Sequence, residues 1–173
     1  MKQLILGGVR SGKSHIAEQL AIDSCLDVAY VATATAGDAE MQERIHKHQQ
    51  QRPAHWQCIE EPLLLADALQ AYASEDHCIL VDCLTLWLTN LLLKEDDVFF
   101  NAQRDALINC LATLSGQVIF VSNETGLGIV PMGELTRRYC DESGLLHQAI
   151  AQQCDRVILS VAGLPHVLKG APV

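Results

Sequence analysis

A chain of 173 residues is the size of one domain and can bury about 70% of the surface it exposes when unfolded, so it needs no disulfide or metal to hold a core. With 49% hydrophobic and 19% charged residues it is a packed chain and not a disordered one. A net charge of −9 excludes the broad basic face that a general nucleic-acid or anionic-membrane binder needs.

Short apolar runs of β type alternate with longer helical patterns. In chain order they predict a strand at Gln3–Leu6, a helix at Lys13–Ile22, a strand at Val28–Thr33 and a helix at Asp38–Gln51. A short strand at Gln57–Ile59, a helix at Pro62–Tyr72, a strand at Cys78–Val81 and a helix at Leu84–Leu93 follow. The last elements are a helix at Phe99–Leu114, a strand at Val118–Ser122, a helix at Glu134–Gln153 and a strand at Val157–Val161. The strands are continuous apolar runs, which suits an α/β fold with a mainly parallel sheet covered by helices on both faces. No repeat or low-complexity linker divides the chain, so residues 1–173 are expected to form a single domain. Ligands of such sheets bind beyond the carboxyl ends of the strands.

The seven cysteines (25, 58, 78, 83, 110, 140 and 154) include no Cys-x-x-Cys pair, which argues against zinc-ribbon or thioredoxin chemistry. The opening MKQLILGG is too short an apolar run for a signal peptide, and no stretch reaches the roughly 18 apolar residues of a membrane span. The expectation is a cytoplasmic protein with reduced thiols, most of them buried.

After the first strand comes Gly7-Gly8-Val9-Arg10-Ser11-Gly12-Lys13-Ser14, which satisfies Gly-x4-Gly-Lys-Ser/Thr with a strand before it and a helix after. Glycines let backbone N–H groups approach a phosphate with no Cβ in the way, and the helix beginning near Lys13 aims its positive end at the same place. Lys13 is expected on the β- and γ-phosphates, Ser14 on Mg²⁺, and Arg10 as an extra phosphate contact. The competing reading is a purely structural glycine turn. The acid that a phosphate loop needs for Mg²⁺ is Asp82, which closes the apolar run Ile79-Leu80-Val81. Its competing role is to cap the helix that follows.

Two common classes of phosphate-loop protein fit poorly. There is no Asn-Lys-x-Asp to read guanine as GTPase switches do, and Asp141-x-x-Gly144 has no strand before it. Residues 105–136 hold no Lys or Arg, unlike the arginine-rich lid of nucleoside-monophosphate kinases. The charge is also uneven. The first 56 residues carry six basic and six acidic side chains, so the whole excess of acid lies beyond them. A helix ending before Pro53 puts Arg44, His48 and Arg52 on one face, at i, i+4 and i+8. Two guanidinium groups disfavour the imidazolium form, and a neutral imidazole beside phosphate-reading arginines is suited to attack phosphorus. Alternatively, the segment is a solvated basic helix.

Taken together, these segments resemble the bifunctional adenosylcobinamide kinase / adenosylcobinamide-phosphate guanylyltransferase family of cobalamin assembly. The resemblance rests on GGVRSGKS at 7–14, YVAT at 30–33, Glu40-Met41 with Arg44-Ile45, His48 and RPAHW at 52–56. It continues in VDCLT at 81–85, LTNLL at 88–92 and VSNETGLGIVP at 121–131. It implies a P-loop NTPase-like fold and two reactions on a corrinoid, adenosylcobinamide, with GTP and ATP as substrates and Mg²⁺ as cofactor. It implies that His48 becomes guanylylated and that nucleotide contacts include Gly7, Gly8, Val9, Arg10, Ser11, Gly12, Lys13, Ser14, Thr33, Arg44, Arg52, Glu60 and Asp82. It also implies a homotrimer. The sequence departs from the adjacent histidines often seen in the family: Lys47 precedes His48 and His46 lies two back, leaving His46 as the alternative nucleophile. Thr33 and Glu60 admit, besides nucleotide binding, a role at the start of a helix or on solvated surface. In the 121–131 segment Asn123 and Glu124 are candidates to touch nucleotide or corrinoid, or else to form a turn. Gly126 and Gly128 are expected to take a positive φ there. Two rivals to this reading stand: a phosphate-loop kinase of another small hydroxylated substrate, and a nucleotide-binding module without transfer chemistry.

Overall fold

The computed structural model describes residues 1–35, 43 and 53–173. Its strands are β1 (Lys2–Gly7), β2 (Asp27–Ala32), β3 (Gln57–Glu60), β4 (His77–Asp82), β5 (Gln117–Asn123), β6 (Arg156–Val161) and β7 (Leu164–Lys169). The helices are α1 (Lys13–Asp23), α2 (Leu65–Tyr72), α3 (Leu84–Leu92), α4 (Asp97–Cys110) and α5 (Glu134–Gln153). The helix expected over Asp38–Gln51 lies, apart from Glu43, outside the described residues.

All seven strands form one sheet in the order β3-β2-β4-β5-β1-β6-β7, parallel except for the β6–β7 pair. Alternation along the strands explains how both faces are buried. Leu4 and Leu6 of β1, Val31 of β2, Ile79 and Val81 of β4, and Phe120 of β5 point to one side. There they meet Leu69 of α2, Trp87 and Leu91 of α3, Leu107 of α4 and Ile150 of α5. Ile5, Tyr30, Leu80, Val121 and Ile158 point to the other side, where α1 supplies Ala17 and Ala21. Two alanines let α1 lie close to the sheet and keep its first turn over the end of β1. Full burial of a large aliphatic or aromatic side chain contributes about 1.5–3 kcal/mol, so the two-sided core is the main source of stability.

Several boundaries move for local reasons. The helix expected from Pro62 begins at Leu65, because Glu61 Oε1 accepts the N–H groups of Leu63 and Leu64 (2.9 and 2.7 Å) and holds them as a turn. The helix expected from Phe99 begins earlier, capped by Asp96, whose carboxylate accepts the Phe99 N–H at 2.9 Å. It stops at Cys110, where Thr113 turns back onto the Cys110 carbonyl through both its N–H and its hydroxyl.

β7 is an addition that the apolar runs did not reveal. Its residues are exposed apart from a half-buried Val167, and Pro165 is tolerated because β7 is an edge strand. The signal for it lies in the connection, a two-residue loop in which both Ala162 and Gly163 have positive φ (53° and 80°).

Candidate functional site

The segment Gly7–Ser14 runs from the end of β1 into α1 and is held from two sides. The Ser11 carbonyl accepts the Gly163 N–H (2.8 Å) and the Ser160 hydroxyl (2.7 Å), so the β6–β7 hairpin supports the loop from beneath. The Gly7 carbonyl accepts the Glu124 N–H at 3.0 Å, which fixes the loop to the end of β5. Gly12 caps α1 at φ 95°, and a Cβ there would stand 2.8 Å from the Gly163 Cα. Gly7 is equally closed, since a Cβ would meet the Ser160 carbonyl at 2.7 Å. Gly8, Val9 and Arg10 are exposed at the crest of the loop, with Arg10 in the left-handed region (φ 56°). Lys13 donates to the Gly8 carbonyl at 3.2 Å, folding its ammonium back over the loop. The buried Ser11 Oγ has no hydrogen-bond partner.

Asp82 ends β4, two strands from β1 and on the same carboxyl edge of the sheet. It is not the cap of α3. The residue in that position is Cys83, and no side chain caps the helix. The Tyr30 hydroxyl donates to Asp82 Oδ2 at 2.9 Å. Thr33 is fully buried, and its hydroxyl donates to the Cys83 carbonyl (2.7 Å) while accepting the Cys83 N–H (2.9 Å). That hydroxyl therefore ties the end of β2 to the residue after Asp82. Burial, reinforced by the Asp82 charge, pushes the Cys83 thiol up to about 11, so it stays protonated beside the carboxylate.

Between these two groups lies the end of β5. The Asn123 N–H donates to Thr85 Oγ1 at 2.8 Å, and Thr85 Oγ1 lies 3.4 Å from Ser122 Oγ. Ser122 in turn is hydrogen-bonded to His147 Nε2 at 2.8 Å, in the interior. Burial holds His147 below its usual pKa, although the Glu124 charge acts the other way. Asn123 Oδ1 is buried without a partner.

Other expected residues are placed less centrally. Glu60 ends β3, exposed and across from Ala32, which is also paired with Asp82; it shares the edge but stands two strands from that carboxylate. Arg44, His46, His48 and Arg52 lie outside the described residues. Gly126 and Gly128 do not take the positive φ expected of them. Instead Glu124 Oε1 accepts the Gly126 N–H (2.5 Å), so a carboxylate builds the turn that left-handed glycine was expected to build. Beyond it Leu127, Ile129 and Met132 are between 83% and 98% exposed.

Among the described residues, the hard-oxygen donors offered to a cation by the loop and the end of β4 are the Ser14 hydroxyl at the first turn of α1 and the Asp82 carboxylate. No group of three or more His, Cys, Asp or Glu forms among the described residues. So sparse an oxygen set suits Mg²⁺, which keeps several waters and takes phosphate oxygens, better than an ion bound by a full protein cage. Sequence reasoning missed Tyr30, Ser160 and Gly163 as supports of the site. Tyr30 carried a signal in YVAT, whereas the two hairpin residues become visible only once β7 is recognised.

The folded chain resembles the RadB recombinase (TM-score 0.54, 15% identity, 91% of this chain and 73% of that one). It also resembles a type III secretion ATPase (TM-score 0.59, 10% identity, 96% of this chain and 56% of that one), likenesses that establish the P-loop NTPase-like fold. In sequence it is 60% identical, over the whole of both chains, to the bifunctional adenosylcobalamin biosynthesis protein CobP of Pseudomonas aeruginosa. It is 36% identical to the bifunctional adenosylcobalamin biosynthesis protein CobU of Escherichia coli, covering 95% of this chain and 97% of that one. No described helix is long and apolar enough to cross a membrane. The model of the family described as cobinamide kinase / cobinamide phosphate guanyltransferase matches residues 3–168, and the chain belongs to that family.

Proposed function

We propose that residues 1–173 act as one kinase and guanylyltransferase domain in cobalamin biosynthesis. In the first reaction the hydroxyl oxygen of the aminopropanol arm of adenosylcobinamide attacks the γ-phosphorus of ATP or GTP. The bond to the bridging oxygen breaks, the nucleoside diphosphate leaves and the hydroxyl proton passes to solvent. In the second, a nitrogen of His48 attacks the α-phosphorus of GTP and pyrophosphate leaves. An oxygen of adenosylcobinamide phosphate then displaces the histidine, giving adenosylcobinamide-GDP.

The observation that carries this reading is the shared edge of Gly7–Ser14 and Asp82 in a chain 60% identical, end to end, to a bifunctional adenosylcobalamin biosynthesis protein. The loop's N–H groups and Lys13 bind and orient the triphosphate, with Arg10, Arg44 and Arg52 as further cations and Thr33 and Glu60 near the nucleotide. When bound, Mg²⁺ on Ser14 and Asp82 neutralises charge on the phosphate oxygens. The protein works in the cytoplasm as a homotrimer, and the exposed Leu127, Ile129 and Met132 support a face that another subunit covers.

GTP labelled at the α-phosphate tests the guanylyl half. The expected result is an acid-labile, base-stable protein–GMP adduct, lost in His48→Ala and kept in His46→Ala. An adduct that survives His48→Ala but not His46→Ala moves the nucleophile, and no adduct at all, in the wild type included, removes the second reaction. Adenosylcobinamide-dependent ATP consumption, abolished in Lys13→Ala, tests the kinase half.

A further inference from the structure

We propose that Asn123 is a catalytic residue of the kinase step, its side-chain carbonyl accepting a hydrogen bond from the attacking hydroxyl of the acceptor; the inference rests on the kinase reading above. The first support is topological. β5 is inserted between β1 and β4, so the residue that ends it stands between the phosphate loop and Asp82. Asn123 is in register with Gly7, while Val121 of the same strand is in register with Asp82. With neighbouring strands about 4.8 Å apart, a side chain there lies within reach of both the loop and the acid.

The second support is rigidity. The Asn123 N–H is held by Thr85, which belongs to the first turn of the helix following Asp82. The next N–H, that of Glu124, is held by the first glycine of the loop. Beneath them the Ser122–His147 pair closes a buried polar lattice. The backbone of Asn123 is thus fixed to both halves of the site before any ligand arrives, as an orienting group requires.

The third support is chemical. Asn123 Oδ1 is buried and has no partner, a costly arrangement that calls for an explanation. An amide oxygen is satisfied by a hydrogen-bond donor or a cation, and the cation of this site falls to Ser14 and Asp82. Phosphate oxygens at neutral pH and the Asp82 carboxylate are acceptors, so neither serves. Lys13 is a donor, but the phosphates are its oppositely charged partners. The remaining donor that the reaction brings to this place is the acceptor hydroxyl. Accepting its hydrogen bond turns an oxygen lone pair toward the γ-phosphorus. The amide is too weak a base to remove the proton, which leaves for solvent after the new O–P bond forms. A loose phosphoryl-transfer transition state needs no more than this alignment.

The test compares full-length wild-type protein with Asn123→Ala and Asn123→Asp in two assays. One follows adenosylcobinamide-dependent ADP formation from ATP. The other follows labelling of the protein by α-labelled GTP without corrinoid, a reaction in which no hydroxyl acceptor takes part. The expected result is a kcat for the kinase reaction lowered about a hundredfold in Asn123→Ala and within about tenfold of wild type in Asn123→Asp, whose carboxylate still accepts the hydroxyl. The KM for ATP and the rate of protein labelling stay within about threefold of wild type. Kinase kcat within about threefold of wild type in Asn123→Ala overturns the proposal while leaving the kinase reading intact. So does an equal loss in both assays, which assigns Asn123 a structural part. Wild-type protein that makes no ADP with adenosylcobinamide overturns the kinase reading and this inference with it.

Discussion

The hydroxyl of Tyr30, on β2, donates a 2.9 Å hydrogen bond to the carboxylate of Asp82, on the neighbouring β4. The Tyr30 ring is buried on the α1 side of the sheet and stacks at 6.4 Å on Trp56, so the donor arrives from a fixed direction. Removing it in Tyr30→Phe keeps the ring and takes one hydrogen bond from the acid. The expected outcome is a loss of about 1 kcal/mol in stability and a several-fold weaker affinity for nucleotide with Mg²⁺. Thermal unfolding and a nucleotide titration at fixed Mg²⁺ measure the two effects. Unchanged nucleotide affinity would show that Asp82 needs no such restraint.

Two glycines of the phosphate loop should respond differently to the same methyl group. Gly12 has φ 95° and faces the Gly163 backbone at 2.8 Å from a would-be Cβ, so Gly12→Ala should lower the melting temperature and abolish nucleotide binding. Gly8 has nothing within 4 Å of its would-be Cβ, so Gly8→Ala should melt like wild type. Any binding defect in Gly8→Ala then reports contact with the ligand itself. Equal melting temperatures for both variants would contradict the supporting role of the hairpin.

Thiol reactivity should divide the cysteines by burial. Cys25 and Cys58 are exposed and should react with a disulfide reagent in the native protein. Burial pushes Cys78 and Cys83 up to about 11 and Cys154 up to about 12, so at pH 8 these thiols are both covered and protonated. They should react only after unfolding, which counting the released chromophore before and after denaturant would check.

His147 gives a stability dependence on pH with a definite sign. Burial lowers its pKa from 6.5 in the folded chain, so below that pH the unfolded chain binds a proton the folded one refuses. The contribution is complete above pH 6.5 and lost as pH falls, at no more than about 1.4 kcal/mol per pH unit for one such group. Melting curves between pH 5 and 7.5 should therefore fall toward acid more steeply for wild type than for His147→Asn. Parallel slopes would mean that the imidazole titrates alike in both states.

The sequence was informative wherever chemistry and local order coincide. Gly7–Ser14 could be read because its spacing needs a strand before and a helix after, and Asp82 because a carboxylate ends an apolar run. Glu134–Gln153 appears as a helix with the boundaries its periodicity predicts. Pairing between distant segments could not be read in this way. Nothing local says that β5 comes between β1 and β4, and that placement alone brings Asn123 to the loop. β7 escaped because an exposed edge strand lacks an apolar run. The resemblance points to Thr33 near nucleotide; that its hydroxyl ties to the Cys83 backbone depends on a strand pair that only folding creates.

β1 lies between β5 and β6, strands whose partners to its residues are more than a hundred positions later in the chain, such as Val118 beside Lys2 and Val157 beside Leu4. The phosphate loop rests on Ser160 and Gly163, and Ser160 lies 149 residues after the Ser11 carbonyl it holds. Until the β6–β7 hairpin has formed, the chain therefore carries the binding motif without its support, so nucleotide should stabilise the state in which that hairpin is paired. The same ordering makes pairing of β1 a long-range event, and refolding should be slow for a protein of this length.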